Sequence, residues 1–366
     1  MMLSTSRLVS LLALACACSS LKPVDVTDGG NAPEQDAAVS SDGGPVVDKD
    51  AAVVPSNACR KLVIECLDAT APKVIEVPTE STMADAIANA KAGDTIQVKG
   101  ATLGPGWRVP AYVTLHGCNG AKLDGTISVL GSGATFEAFE VAGSIILNQT
   151  GNYIVRWDRF VGSSAEDAIA ARSIDGLVSA DVKVTVEQND FIGRASGIGA
   201  STRYDTMTHS VDLLVRNNVF REVERPIVLT RSGLVGKISA RILHNTLVGF
   251  KGGIGLYGLK EPALVGGNLF VRGTNAVEGD AAYNLSNGIL SDCGEGPAPP
   301  LGGAFATGDP KFVDAANGDL RIGPGSAALD RVPGGDALPT DDFAGCPRPK
   351  GHGGTPMGDV GAYEAE

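Results

Sequence analysis

VTVEQNDFIG (184–193) and LLVRNNVFRE (213–222) decide the fold. Each is a β-rich run that ends in Asn, passes one residue, reaches a phenylalanine and then turns. Three further runs have the same form: IVRWDRFVG (154–162), RILHNTLVGF (241–250) and LVGGNLFVRG (264–273). Aligned, they place Asp158, Asn189, Asn218, Asn245 and Asn268 in one column. Phe160, Phe191, Phe220, Leu247 and Phe270 stand in another, two residues on. The Asn-column steps are 31, 29, 27 and 23 residues. A period in that range, with short strands and no intervening helices, indicates stacked coils of a β-solenoid. A lone coil cannot bury its inner face, whereas stacking gives every strand two neighbours. The aromatic column is expected to stack inside. The Asn amides are expected to hydrogen-bond along the stack and satisfy buried turn backbone.

Composition agrees. The 366 residues include 48 glycines but only 5% aromatics, so the core must be small, branched and closely spaced, with many turns. About eight to ten coils fit the repeat length. A formal net charge of −12 argues against a nucleic-acid partner, since an acidic body repels phosphate.

The chain opens on a positive residue, Arg7, and an apolar run from Leu8 to Ala15 too short to span a bilayer, as a secretory signal does. The segment ALACAC (13–18) resembles a bacterial lipobox, so residues 1–18 are expected to direct export and lipid attachment at Cys16 or Cys18. The neighbouring residues 19–57 have no periodicity and no aromatic residue, which predicts a disordered acidic tether. The expected localisation is the cell envelope, as an outer-membrane lipoprotein or at the cell surface, with the membrane engaged through the lipid. Export also permits disulfides. Cys59–Cys66 and Cys293–Cys346 are the expected pairs, each lying near one end of the folded body. No CxxC and no Cys/His spacing suggests zinc.

Residues 58–305 are expected to form the coils and 306–366 a closing tail. STMADAIANAKAGDTIQVKG (81–100) predicts a short capping helix and then the first strand. Thr82 and Asp85 would form a capping box, Met83, Ala86, Ile87 and Ala90 an apolar stripe, and Gly93 the stop. In the strand, Ile96 and Val98 alternate with Gln97 and Lys99. This opening resembles that of pectin-lyase-like right-handed parallel β-helix proteins, which implies an all-β fold. The segments GDPKFVDAANGDLRIGPGSAALD (308–330) and DDFAGCPRPKGHGGTPMGDVGAYE (341–364) resemble the tail of bacterial surface β-helix proteins of the choice-of-anchor group. That tail closes the helix and is not itself catalytic. Asp309, Asp319, Asp330 and Asp342 could gather a calcium ion there, or serve their own turns.

The central coils also resemble calcium-dependent pectate lyases over Trp157-Asp158, DGLVSAD (175–181), VTVEQNDF (184–191) and VERPIVLTR (223–231). The resemblance implies Asp175 as a calcium ligand and catalytic acidic group, and Arg225 as the catalytic arginine. Ser179 stands where a second acid belongs and Ile227 near the proton-abstracting arginine, so a weak calcium site and no assigned base follow. β-Elimination needs the uronate carboxylate neutralised and a base beside the acidified proton. Arg225, Arg231, Arg194 and Lys183 could line one groove and bind an acidic glycan, and Trp107, Trp157, Tyr112, Tyr153, Tyr204 and Tyr257 are the rings that could serve a binder as stacking platforms. Calcium is the only cofactor suggested. A hydrolase would need paired acids on adjacent coils; Asp158, Glu187 and Asp190 are available, without the paired-Asp motif. His116, His209, His244 and His352 have no partner in the sequence. The loop GASTRYDTMTHS (199–210) is polar and projects between two well-formed coils. Three readings therefore stand: a polysaccharide or envelope binder, a polysaccharide lyase, and a structural rod.

Overall fold

The computed structural model describes residues 65–68, 70, 73–172, 180–202, 209–232, 236–294, 305–333, 339–348 and 357–365. The export signal, the tether, Cys59, Asp175, His352 and the middle of the 199–210 loop lie outside the described residues.

The chain winds into a parallel β-helix. Among the described residues, three parallel sheets of ten, ten and eight strands run along it, and each complete coil gives one strand to each. Eight complete coils of the described residues run from Thr95 to Gly279. In the first sheet, Ala180–Glu187 pairs with His209–Arg216, which pairs with Lys237–Leu243. Alternation sends Val182, Val184 and Val186 inward against Val211, Leu213 and Val215, all buried. The second sheet follows at a sharp bend, with short strands such as Asp190–Ile192 and Val219–Arg221. The third includes Ile169–Arg172, Ser196–Thr202, Arg225–Arg231, Gly252–Tyr257 and Asn275–Gly279.

Both sequence columns form. Asn218 Oδ1 accepts from the backbone N–H and the Nδ2 of Asn189, each at 3.0 Å. Asn245 does the same for Asn218, and Asn268 for Asn245. Each amide also donates to the preceding coil, as Asn189 does to Val155 O at 2.9 Å. The residue before each rung takes the left-handed conformation that turns the chain: Trp157, Gln188, Asn217, His244 and Gly267. Phe160, Phe191 and Phe220 stack at 4.7 and 4.5 Å between centroids, wholly buried. Offset ring stacks of this kind add about 1 kcal/mol beyond area burial.

Asp158 ends the ladder. Its Oδ1 accepts from Phe139 N at 2.8 Å and its N–H donates to Asn189 Oδ1, but its Oδ2 is buried with no partner. Burial pushes this carboxyl well above the ordinary range, which favours its neutral form where the other rungs carry an amide.

The N-terminal side differs from expectation in four ways. A strand at Val74–Val77 precedes Thr95–Lys99 and pairs with it, so the stack starts one strand earlier. The helix Met83–Asn89 forms and buries Met83 and Ala86, but the capping box does not: Thr82 Oγ1 donates back to Thr79 O instead. Gly93, at φ 88°, turns the chain into the strand after the helix has ended. Gln97, placed on the solvent side by alternation, is buried. Residues 65–68 cross the outer face of the first sheet above it, with Leu67 N donating to Gln97 Oε1 at 2.5 Å.

That strap corrects the disulfides. Cys66 bonds Cys118, at the end of the strand beneath it, with Cα atoms 5.1 Å apart, so Cys59–Cys66 does not form. Cys293 is a free, half-buried thiol whose pKa burial pushes up to about 11. Cys346 is itself disulfide-bonded while Cys293 is free, so Cys293–Cys346 does not form either. Cys346 sits in a turn neighbouring Gln188, whereas Cys293 follows a strand near the far end of the stack.

The tail adds one parallel strand, Phe305–Thr307, and then small antiparallel pairs at Phe312–Asp314 with Asp319–Ile322 and at Val332–Pro333 with Met357–Gly358. It then lies along the side of the stack. Leu320, Ile322, Val332, Phe343, Val360 and Ala362 pack against Val219, Val248, Leu269, Val271 and Ile289 on the outer face of the second sheet. Gln188 donates to Asp342 O, Asn217 to Asp341 O, and Gly361 N to Gly267 O. The tail is locked by Arg348, wholly buried, which donates to Glu364 Oε2 at 2.9 Å, to Asp359 O and to Gly361 O. The four tail aspartates do not converge. Asp309 accepts from Lys311 N, Asp319 pairs with Arg321, Asp342 accepts from Ala344 and Cys346 N, and Asp330 N donates to Asp359. Among the described residues no cluster of three acidic, His or Cys side chains could hold a metal.

Candidate functional site

The predicted groove residues separate onto different faces. Lys183 is exposed on the outer face of the first sheet, in a shallow depression with Asp212 and Arg241. Trp157 stands at the bend between the first and second sheets. Arg194 is buried in the turn leading to the third sheet, donating to Val161 O at 2.9 Å; burial pushes its pKa down while Asp167 opposes this. It braces the turn. Only Arg225 and Arg231 share a strand. Arg231 is tied to Gly236 O at 2.6 Å and to Gly258 O, which makes it a link between coils. Glu187 and Asp190, weighed for hydrolysis, pair with Arg216 and Arg221. His116 bonds Glu137, and His244 is buried against Asp359 O with its pKa pushed well down by burial.

Around Arg225 the outer face of the third sheet gathers polar groups. Its register neighbour is Ser196, whose hydroxyl donates to Asp167 Oδ1 at 2.5 Å. On the other side, Tyr257 OH donates to Glu278 Oε1 at 2.9 Å, and Asn275 Nδ2 donates to Glu278 Oε2 at 3.1 Å. Two glycines make this possible. A Cβ on Gly199 would meet the Asp167 carboxylate at 2.1 Å, and one on Gly255 would meet the Tyr257 ring at 2.8 Å. With hydrogen there instead, both side chains lie across the sheet. Arg225 is exposed, with no hydrogen bond or ion pair to its guanidinium among the described residues. It is near enough to draw the Tyr257 pKa down, but burial and the Glu278 carboxylate prevail and raise it. The hydroxyl therefore keeps its proton and acts as a donor.

Sequence reasoning named Arg225, and Tyr257 as a stacking platform, but missed Asp167, Asn275 and Glu278. The available signal was the pair of glycines, Gly199 and Gly255, at outward strand positions where a solvated sheet would carry a side chain.

The parallel β-helix is the class this architecture defines. No known family profile matches the sequence, and no curated protein matches it. Two solved structures, the PL6 family alginate lyase AlyGC and a mutant of it, align at 16% and 14% identity over 72% and 74% of this chain, with TM-scores of 0.22 and 0.21. The chain spans 58% and 60% of their length. Overlap at that level carries no argument about activity.

Proposed function

We propose that this is an exported envelope protein that engages polysaccharide on the outer face of its third sheet. The single observation that carries the reading is Arg225, exposed and unpaired among the described residues, between the Asp167–Ser196 and Tyr257–Glu278–Asn275 groups. Carboxylates, an amide, hydroxyls and a guanidinium fork on one flat surface are the donors and acceptors that sugar hydroxyls need. The leader with its ALACAC segment supports export and lipid attachment at Cys16 or Cys18, with 19–57 as the tether. The GDPKF and GDVGAYE segments support kinship with choice-of-anchor surface proteins.

Elimination asks more of the same face. Arg225 could neutralise a uronate and Tyr257 could protonate a leaving oxygen, but a hydroxyl whose pKa is raised makes a poor base. Asp175 with calcium would have to supply what is missing, which keeps the lyase as the alternative.

The test incubates the purified protein with neutral and acidic polysaccharides, with and without calcium, following retention and the absorbance of unsaturated product. Retention weakened about tenfold by Arg225→Ala, without absorbance, is expected. An absorbance rise abolished by Arg225→Ala would make the protein a lyase. Retention by no polysaccharide would leave the rod as the better account.

A further inference from the structure

A second feature lies at the bend between the first and second sheets. A cleft of about 510 Å³ opens there, lined by Trp157, Asn119, Gly120, Ala138, Glu140 and Arg159 among others. Trp157 is the unusual member. It takes a left-handed φ of 58°, at a column position that elsewhere holds Ala138, Gln188, Asn217, His244 and Gly267. Small or polar residues suit that conformation, and a bulky ring is disfavoured there. Trp157 is half-buried, so core packing does not explain the choice.

The ring is held in place. The Arg156 guanidinium lies over one face, 4.0 Å from the centroid. Glu137 accepts from Arg156 Nε at 2.9 Å, and its other oxygen meets His116 Nδ1 at 2.9 Å. Burial works to raise the Glu137 pKa, but the hydrogen bonds and charges of His116 and Arg156 hold it below the ordinary range, so the support stays ionised. Around the cleft, Lys122 and Arg159 both pair with Glu140, at 2.7 and 3.8 Å, so a charged ligand gains little. Small residues, Gly120 and Ala138, leave room, and the exposed Asn119 amide and Glu140 offer hydrogen bonds.

We propose that this cleft binds a neutral pyranose unit of a glycan, its apolar C–H face against Trp157 and its hydroxyls toward Asn119, Glu140 and Arg159. Sugars combine an apolar face with a polar rim, which matches a fixed ring flanked by balanced polar groups. The site is independent of the third-sheet face. Glu137 is a positioning residue, acting through Arg156.

The test uses the full chain carrying Trp107→Phe, which leaves Trp157 as the sole tryptophan of the two. Emission is followed during titration with cellohexaose, chitohexaose and maltohexaose, and binding is measured in parallel by calorimetry. A saturable emission change with at least one is expected. In calorimetry the component that follows the emission change should vanish in Trp157→Asn, a residue the column already accepts, and weaken about tenfold in Glu137→Gln. No saturable emission change with any of the three, or a calorimetric isotherm unaltered by Trp157→Asn, overturns the proposal.

Discussion

The bend between the first and second sheets is built alike in successive coils, yet its two halves have different surroundings. From Gln188 onward the left-handed residues meet the tail: Gln188, Asn217, His244 and Gly267 each bond to it. Before Gln188 the same column, Ala138 and Trp157, borders an open cleft. The outward positions of the second sheet change with it. Lys122, Glu140, Arg159 and Asp190 are charged, whereas Val219, Leu269 and Ile289 are apolar and covered. One backbone motif thus serves as a docking strip or as a binding edge, according to the side chain beside each rung.

The largest expected effect falls on the covered half. Glu364→Gln leaves Arg348 buried without its carboxylate, which should cost about 3–5 kcal/mol, seen by urea denaturation and by early proteolysis of the tail. Equal proteolysis of variant and parent would show that the tail is held by its apolar contacts alone. Val219→Arg writes the open-half pattern into the covered half and should cost about 2–4 kcal/mol by burying an unpaired charge against Phe343 and its neighbours.

Asp158→Asn probes the junction. The folded carboxyl binds its proton more tightly than an unfolded one at about pKa 4. The stability this gives is fully present below that value and is lost as pH rises through the folded pKa. Asparagine keeps a neutral side chain at every pH and continues the ladder. The variant should therefore melt higher at pH 7, by roughly 1–2 kcal/mol, with the gain shrinking at pH 3. A gain equal at both pH values would mean that Asp158 is not neutralised. The smallest effect is the reverse exchange, Arg159→Val, where an exposed pair is lost: thermal unfolding should move by no more than about 0.5 kcal/mol.

Much of the fold was legible because the Asn and Phe columns report buried, periodic roles. Asn218 and Phe220 have one backbone environment, set by their own coil and its neighbours, so local pattern suffices. The tail was legible in part. Its segments were recognised, but its place was not, since the residue between the two columns acquires meaning only once a cover is known. That residue runs Arg159, Asp190, Val219, Thr246, Leu269, and the change from charge to carbon marks where the tail lies. Arg225 and Lys183 were both singled out, yet assigned to one groove. They lie on different sheets because a coil turns the chain through three directions, so sequence proximity says little about which way a side chain faces. The disulfides failed for a related reason: Cys66 is bound to the strand it crosses, and Cys59, nearer in sequence, is not its partner.

The returning tail also decides how the molecule would bear a load. A stack held only by nearest neighbours peels coil by coil when pulled from one end. Bonds from a single segment to Gln188, Asn217, His244 and Gly267 clamp four successive coils together, as a batten fixes planks. Tension applied through the N-terminal side would first meet the unclamped coils, which can yield in small steps and lengthen, while the clamped block resists as one piece. Trp157 sits at the seam between the two.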